Sequence, residues 1–166
     1  MNKAEQENLY NELVSKYNFD ERQKEQIGLG LDSNIDVSIY ANPKFNTNQM
    51  YFIRKSLEDN LDVSLYAKSE FDYGQMRAIK LGLKKNLDVS IYLNPELNFE
   101  QMEQILFGLE DELDVSYYVK PEFIWKQMEQ IRLGLLHGID VNPYLNPGID
   151  YGEMEKIRLE LESNKQ

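Results

Sequence analysis

Phe45-Asn46-Thr47-Asn48-Gln49-Met50-Tyr51-Phe52-Ile53-Arg54-Lys55-Ser56-Leu57-Glu58-Asp59-Asn60-Leu61-Asp62-Val63-Ser64-Leu65-Tyr66 decides the fold, because its pattern returns from Phe71, Leu97 and Phe123, each 26 residues on, with no insertion or deletion. Met50, Met76, Met102, Met128 and Met154 mark the step. A diverged copy starts at Phe19, and a truncated one starts at Ile149 and stops after its first helix. A fixed period of this size signals a stacked array of small units, none able to bury its apolar face alone.

Each unit opens on a helix start. Asn46 with Gln49, Asp72 with Gln75, and Asn98 with Gln101 have capping-box spacing, and Phe45 with Met50, Phe71 with Met76, and Leu97 with Met102 have hydrophobic-staple spacing. In the copy from Phe123 the cap is Ile124, which offers no side-chain acceptor. Met50, Ile53 and Leu57 form the buried stripe, and Asn34, Asn60, Asn86 and Gly138 stand where a helix ends in the left-handed conformation. The second half of each unit begins at Asp36, Asp62, Asp88, Asp114 or Asp140 and runs to a proline region at Pro43, Pro95, Pro121 or Pro147. We read each aspartate as the cap of a short helix; Pro143 fits a first helical turn but would break an internal sheet ladder.

Two features imply close packing. Gly30, Ser56, Gly82, Gly108 and Gly134 recur inside helices, where glycine costs ~1 kcal/mol, so something should press on the backbone there; a neighbouring helix is the expected contact. Leu29, Leu81, Phe107, Leu133 and Leu159 lie nearly opposite the buried stripe, as expected of helices sandwiched between layers. Leu9, Tyr10, Leu13, Val14 and Tyr17 give residues 1–18 the pattern of an N-terminal capping helix. The expected fold is therefore all-α: an α-solenoid of 26-residue repeats, each a longer helix followed by a short one. Residues 19–166 form the array in one continuous domain, with copies starting at 19, 45, 71, 97, 123 and 149.

Composition narrows the function. Eighteen Lys and Arg against 29 Asp and Glu give a net charge of −11, which disfavours direct nucleic-acid binding and anionic membrane surfaces and favours a basic partner. There is no cysteine, hence no disulfide or thiolate chemistry, and no apolar run long enough for a signal peptide or a membrane span. A cytoplasmic location is the expectation.

The phrase Gln127-Met128-Glu129-Gln130-Ile131-Arg132-Leu133-Gly134-Leu135, with Leu61-Asp62-Val63-Ser64-Leu65-Tyr66 for the second half, resembles short helical repeats of uncharacterised proteins of Firmicutes, often in mobile elements and phages. The likeness spans residues 19–162. It implies a helical array and supplies no catalytic residue, ligand or partner.

Repeats distribute identical groups along an axis, whereas catalysis needs groups that converge, so we expect no enzyme and no cofactor. His137 precedes Gly138 at a helix end, which suits a surface or capping role; the five aspartates are explained by capping, not by a metal. Ser38, Ser64, Ser90 and Ser116 lack a matching base. Tyr73, Phe99, Trp125 and Tyr151 at the first helical position, with Lys80, Arg132 and Arg158 seven residues after three of them, are the candidate partner-binding residues, aromatic and arginine side chains being the types that anchor interfaces. The alternative for the rings is packing over the preceding unit. The copy from Leu97 to Glu122 sets seven acids against Lys120 alone, and Glu100, Glu103, Glu110, Asp111 and Glu112 form a candidate acidic patch. The expected function is a non-enzymatic scaffold that binds a protein or peptide through one face, the acidic charge favouring a basic one. Alternatives are an acidic inhibitor or nucleic-acid mimic from a phage or mobile element, occupying the basic groove of a host defence protein, and a small-molecule or nucleotide binder near Trp125. Self-association through apolar terminal edges is a further possibility.

Overall fold

The computed structural model describes residues 1–165. Among them the regular structure is helical throughout: α1 Lys3–Lys16, α2 Glu21–Asp32, α3 Thr47–Glu58, α4 Tyr73–Lys84, α5 Phe99–Glu110, α6 Trp125–Leu136 and α7 Tyr151–Asn164. Short 3-10 turns at Val37–Ile39, Val89–Tyr92, Val115–Tyr117 and Asn142–Tyr144 occupy the second halves of the repeats. The chain divides into two compact units, Met1–Lys84 with α1 to α4 and Lys85–Gln166 with α5 to α7. Within each, helices consecutive in the chain pack on one another.

Helix starts follow the sequence signals. Asn46 Oδ1 accepts from the Gln49 amide at 3.0 Å while Gln49 Oε1 accepts from the Asn46 amide at 2.7 Å, and the same exchange closes at Asp72 and Asn98. At α6 Ile124 supplies no side-chain acceptor, and the Gln127 amide turns to the Ile124 carbonyl at 2.9 Å. The ends are Schellman motifs: the Ile35 amide reaches the Gly30 carbonyl and the Asn34 amide the Leu31 carbonyl, with Asn34 left-handed at φ 57°. Asn60, Asn86 and Gly138 adopt the same conformation, and so does Glu112 at φ 55°, a residue whose Cβ is strained there.

The second halves are tighter than ordinary helix. Each aspartate accepts the amide two residues on, from Asp36 with Ser38 at 3.0 Å to Asp140 with Asn142 at 3.0 Å, and a 3-10 turn follows; in the copy at Asp62 only a hydrogen-bonded turn forms. In 3-10 geometry residues i and i+3 eclipse, so Val37 and Tyr40 both point inward while Ser38 and Ile39 face solvent. The alternating look of Val-Ser-Ile-Tyr arises from this threefold turn and not from a strand.

Tyr40, Tyr66, Tyr92, Tyr118 and Tyr144 are all fully buried. Tyr40 Oη donates to the Gln26 carbonyl at 3.0 Å and Tyr118 Oη to the Gln104 carbonyl at 3.2 Å, each on the helix of its own repeat. That ring explains the recurrent glycine: a Cβ on Gly30, Gly108 or Gly134 would stand 1.8–1.9 Å from the tyrosine hydroxyl. The pressure on the backbone thus comes from the repeat's own tyrosine and not from a neighbouring helix. The second apolar row also departs from expectation: Leu29, Leu81, Phe107 and Leu159 are exposed and Leu133 is half-buried, so the helices are covered on one side only. Periodicity reports a common direction; it does not report a cover.

Candidate functional site

Two side-chain joints carry one repeat to the next. The glutamine at the third helical position uses both ends of its amide: Gln101 Oε1 holds the cap of α5, and Gln101 Nε2 donates to the carbonyls of Pro121 and Phe123 at 3.1 and 2.6 Å. Gln23, Gln49 and Gln127 reach forward in the same way, to the carbonyls of Phe45, Phe71 and Ile149, each at 2.7 Å. A glutamate could hold the cap but could not donate.

The second joint runs backward. Arg54 Nε donates to Gln26 Oε1 at 3.1 Å, Arg132 Nε to Gln104 Oε1 at 3.1 Å, and Arg158 Nε to Gln130 Oε1 at 3.0 Å. A carboxylate completes each: Glu58 for Arg54, Asp111 at 3.5 Å for Arg132, and Glu162 at 2.6 Å for Arg158. Glu58 and Glu162 are held below the usual carboxylate range, first by the hydrogen bonds from Lys55 and His137 respectively. Position 52 is Phe instead of Gln, and the residue 28 further on is Lys80 instead of Arg; Lys80 and Lys84 grip Asp59 at 2.9 and 2.7 Å and hold its carboxyl down to about 2.

These joints reassign three of the sequence's candidates. Arg158 is 6 % exposed and works inside the fold, so it is not available to a partner. Lys80 and Arg132, though partly accessible, are occupied with Asp59 and with Gln104 and Asp111. The acidic residues separate as well. Glu110 pairs with Lys85 at 2.6 Å, Asp111 with Arg132, and Glu112 forms the turn after α5. Glu100 and Glu103 lie about 10 Å or more away along the helix, at 1.5 Å per residue, so the five do not make one patch.

The rings are placed differently. In the first unit Tyr73 is exposed and stacks on Phe52 with centroids 5.9 Å apart, beside the exposed Tyr51. In the second, Phe99 and Trp125 are half-buried and Tyr151 is exposed. Lys126 Nζ lies 5.5 Å from the Trp125 centroid and 4.5 Å from that of Tyr151, bridging two repeats by cation–π contact. Arg132 covers Phe107, with Cζ 5.6 Å from its centroid. Lys126, Phe107, Glu129 and Glu155 are members of this surface that the sequence reading did not single out as contact residues. The signal for the last two was present: they stand one and two periods after Glu103.

His137 caps α6 with Nδ1 2.7 Å from Glu162 Oε1, and Ser38 Oγ donates to Asp36. Among the described residues no three His, Cys, Asp or Glu side chains group as a metal site, and no helix is long and apolar enough to cross a membrane. No family model, curated protein or solved structure matches the chain.

Proposed function

We propose that this chain is an α-solenoid and a non-enzymatic binding module that holds another protein or peptide on the outward face of its helices. The observation that carries this is the exposure of large apolar side chains, Tyr73, Phe107, Tyr151 and Leu159 among them, at helix positions the inter-repeat joints do not use. Met, Ile, Val, Phe and Tyr side chains fill the inward positions, joined by the Gln and Arg contacts between repeats. Tyr73, Phe107, Tyr151 and Leu159 also keep more than a third of their surface open to solvent, and aromatic anchors among charged neighbours are what an interface needs.

A selection from a displayed random-peptide library tests the reading, comparing the wild type with a Trp125→Ala/Phe107→Ala double variant of unchanged helical circular dichroism. Peptides that bind the wild type at micromolar affinity or better and lose about tenfold or more on the variant are expected. Failure to enrich any peptide, or equal retention by the variant, overturns it.

A further inference from the structure

The second unit carries three parallel rows on its outward face. Phe99, Trp125 and Tyr151 form one row, Glu103, Glu129 and Glu155 the next, and Phe107, Leu133 and Leu159 the third. Within each helix the members are four residues apart, so they follow one face. From helix to helix they are one period apart, and the joints that set the step, Arg132 to Gln104 and Arg158 to Gln130, have matching lengths of 3.1 and 3.0 Å. The same joint thus links α5 to α6 and α6 to α7.

The middle row lacks counterions. Among the described residues no hydrogen bond or ion pair engages the carboxylates of Glu103, Glu129 or Glu155. The nearby cations are occupied, Lys126 over the rings of Trp125 and Tyr151 and Arg132 with Gln104 and Asp111. The corresponding positions in the first unit are Glu25, Tyr51 and Arg77, so the acid row belongs to the second unit.

Resting on the binding reading above, we infer that the second unit's ligand is an extended, polyproline-type segment with Arg or Lys at every third residue. Packed helices lie ~8–10 Å apart, and a polyproline II chain, with three residues per turn and ~3.1 Å rise, sets residues i, i+3 and i+6 ~9 Å apart on one edge. Its basic edge meets the acid row while the other two edges send apolar side chains toward the aromatic row on one side and the Phe107 row on the other. A β-strand presents same-face residues ~6.6–6.8 Å apart and falls out of step after one repeat.

Fluorescence anisotropy with two labelled nine-residue proline-rich peptides of one composition tests this, one with Arg at positions 1, 4 and 7 and one with Arg at 1, 3 and 5. The first should bind about tenfold more tightly, as expected of a few aligned, partly exposed ion pairs. The Glu103→Gln/Glu129→Gln/Glu155→Gln variant should abolish that preference, whereas Glu7→Gln/Glu12→Gln/Glu25→Gln, with the same change in net charge, should keep it. Equal binding of the two spacings, a preference that survives the first triple variant, or tighter binding of a basic helical peptide each overturns the inference. Any of these together with Trp125- and Phe107-dependent binding in the library selection would remove this ligand and leave the binding module standing.

Discussion

Gly134 and Tyr144 meet at a distance that leaves no room for a methyl group: a Cβ would stand 1.9 Å from the hydroxyl oxygen. The second copy, from Phe45, shows what happens when the rule is broken. Ser56 takes glycine's place, its Oγ donates to the Phe52 carbonyl at 2.8 Å, and Tyr66 Oη is left buried without a hydrogen-bond partner. Gly134→Ala should therefore destabilise the protein by about 1–3 kcal/mol by overpacking, despite alanine's better helix propensity. Ser56→Gly should have the opposite sign, gaining up to about 2 kcal/mol, because freeing the Phe52 carbonyl for Tyr66 outweighs the ~1 kcal/mol that glycine costs in a helix. Urea denaturation of the two variants measures both. Glu112, among the described residues the one left-handed residue other than Asn and Gly, gives a third test: Glu112→Gly should stabilise by about 1 kcal/mol in the same assay. Asn34, Asn60, Asn86 and Gly138 were readable as helix ends by residue type, and Glu112 was not, because its conformation is set by the repeat on either side and not by its own preference.

At the scale of the element, the glutamine at the third helical position does two tasks with one amide. The capping half was legible, since its partner lies three residues away; the forward half was not, since the carbonyl it reaches is 22 residues on. Gln101→Glu separates the two tasks. The carboxylate keeps the cap but faces the Pro121 and Phe123 carbonyls without a proton to give, which should cost about 1–3 kcal/mol at neutral pH. Thermal melting at pH 7 and pH 4 is the check, because a protonated glutamic acid can donate again and the deficit should shrink at the lower pH. The arginine row shows the same limit. Arg132 and Arg158 are of the residue type that anchors interfaces, yet Gln104 and Gln130 wait for them one repeat back, and nothing in a single unit announces that pairing. The exposed Leu and Phe row was read as buried for a related reason: the step of 3.6 residues tells which side chains share a face, and only packing tells whether the face is covered.

Across the whole molecule the five buried tyrosines act together. Burial raises the pKa of every one, to about 12 for Tyr66 and Tyr144, whereas an unfolded tyrosine ionises near ~10. The stability linked to these neutral hydroxyls is thus fully present below pH ~10 and is lost as pH rises toward and through ~12, where the unfolded chain releases protons that the folded chain retains. Melting temperature should fall steeply over that window, and the tyrosinate absorbance of these rings should appear together with the loss of helical circular dichroism.

The proposed function assigns the inward joints to holding the fold and the outward rows to meeting a partner, and hydrogen–deuterium exchange on the complex with a library-selected peptide tests that division most directly. The account predicts new protection confined to the outward-facing helices, centred on Phe99–Glu110, Trp125–Leu136 and Tyr151–Asn164, with the 3-10 turns at Val115–Tyr117 and Asn142–Tyr144 unchanged. Protection centred on those turns, with the helices unaffected, would contradict it.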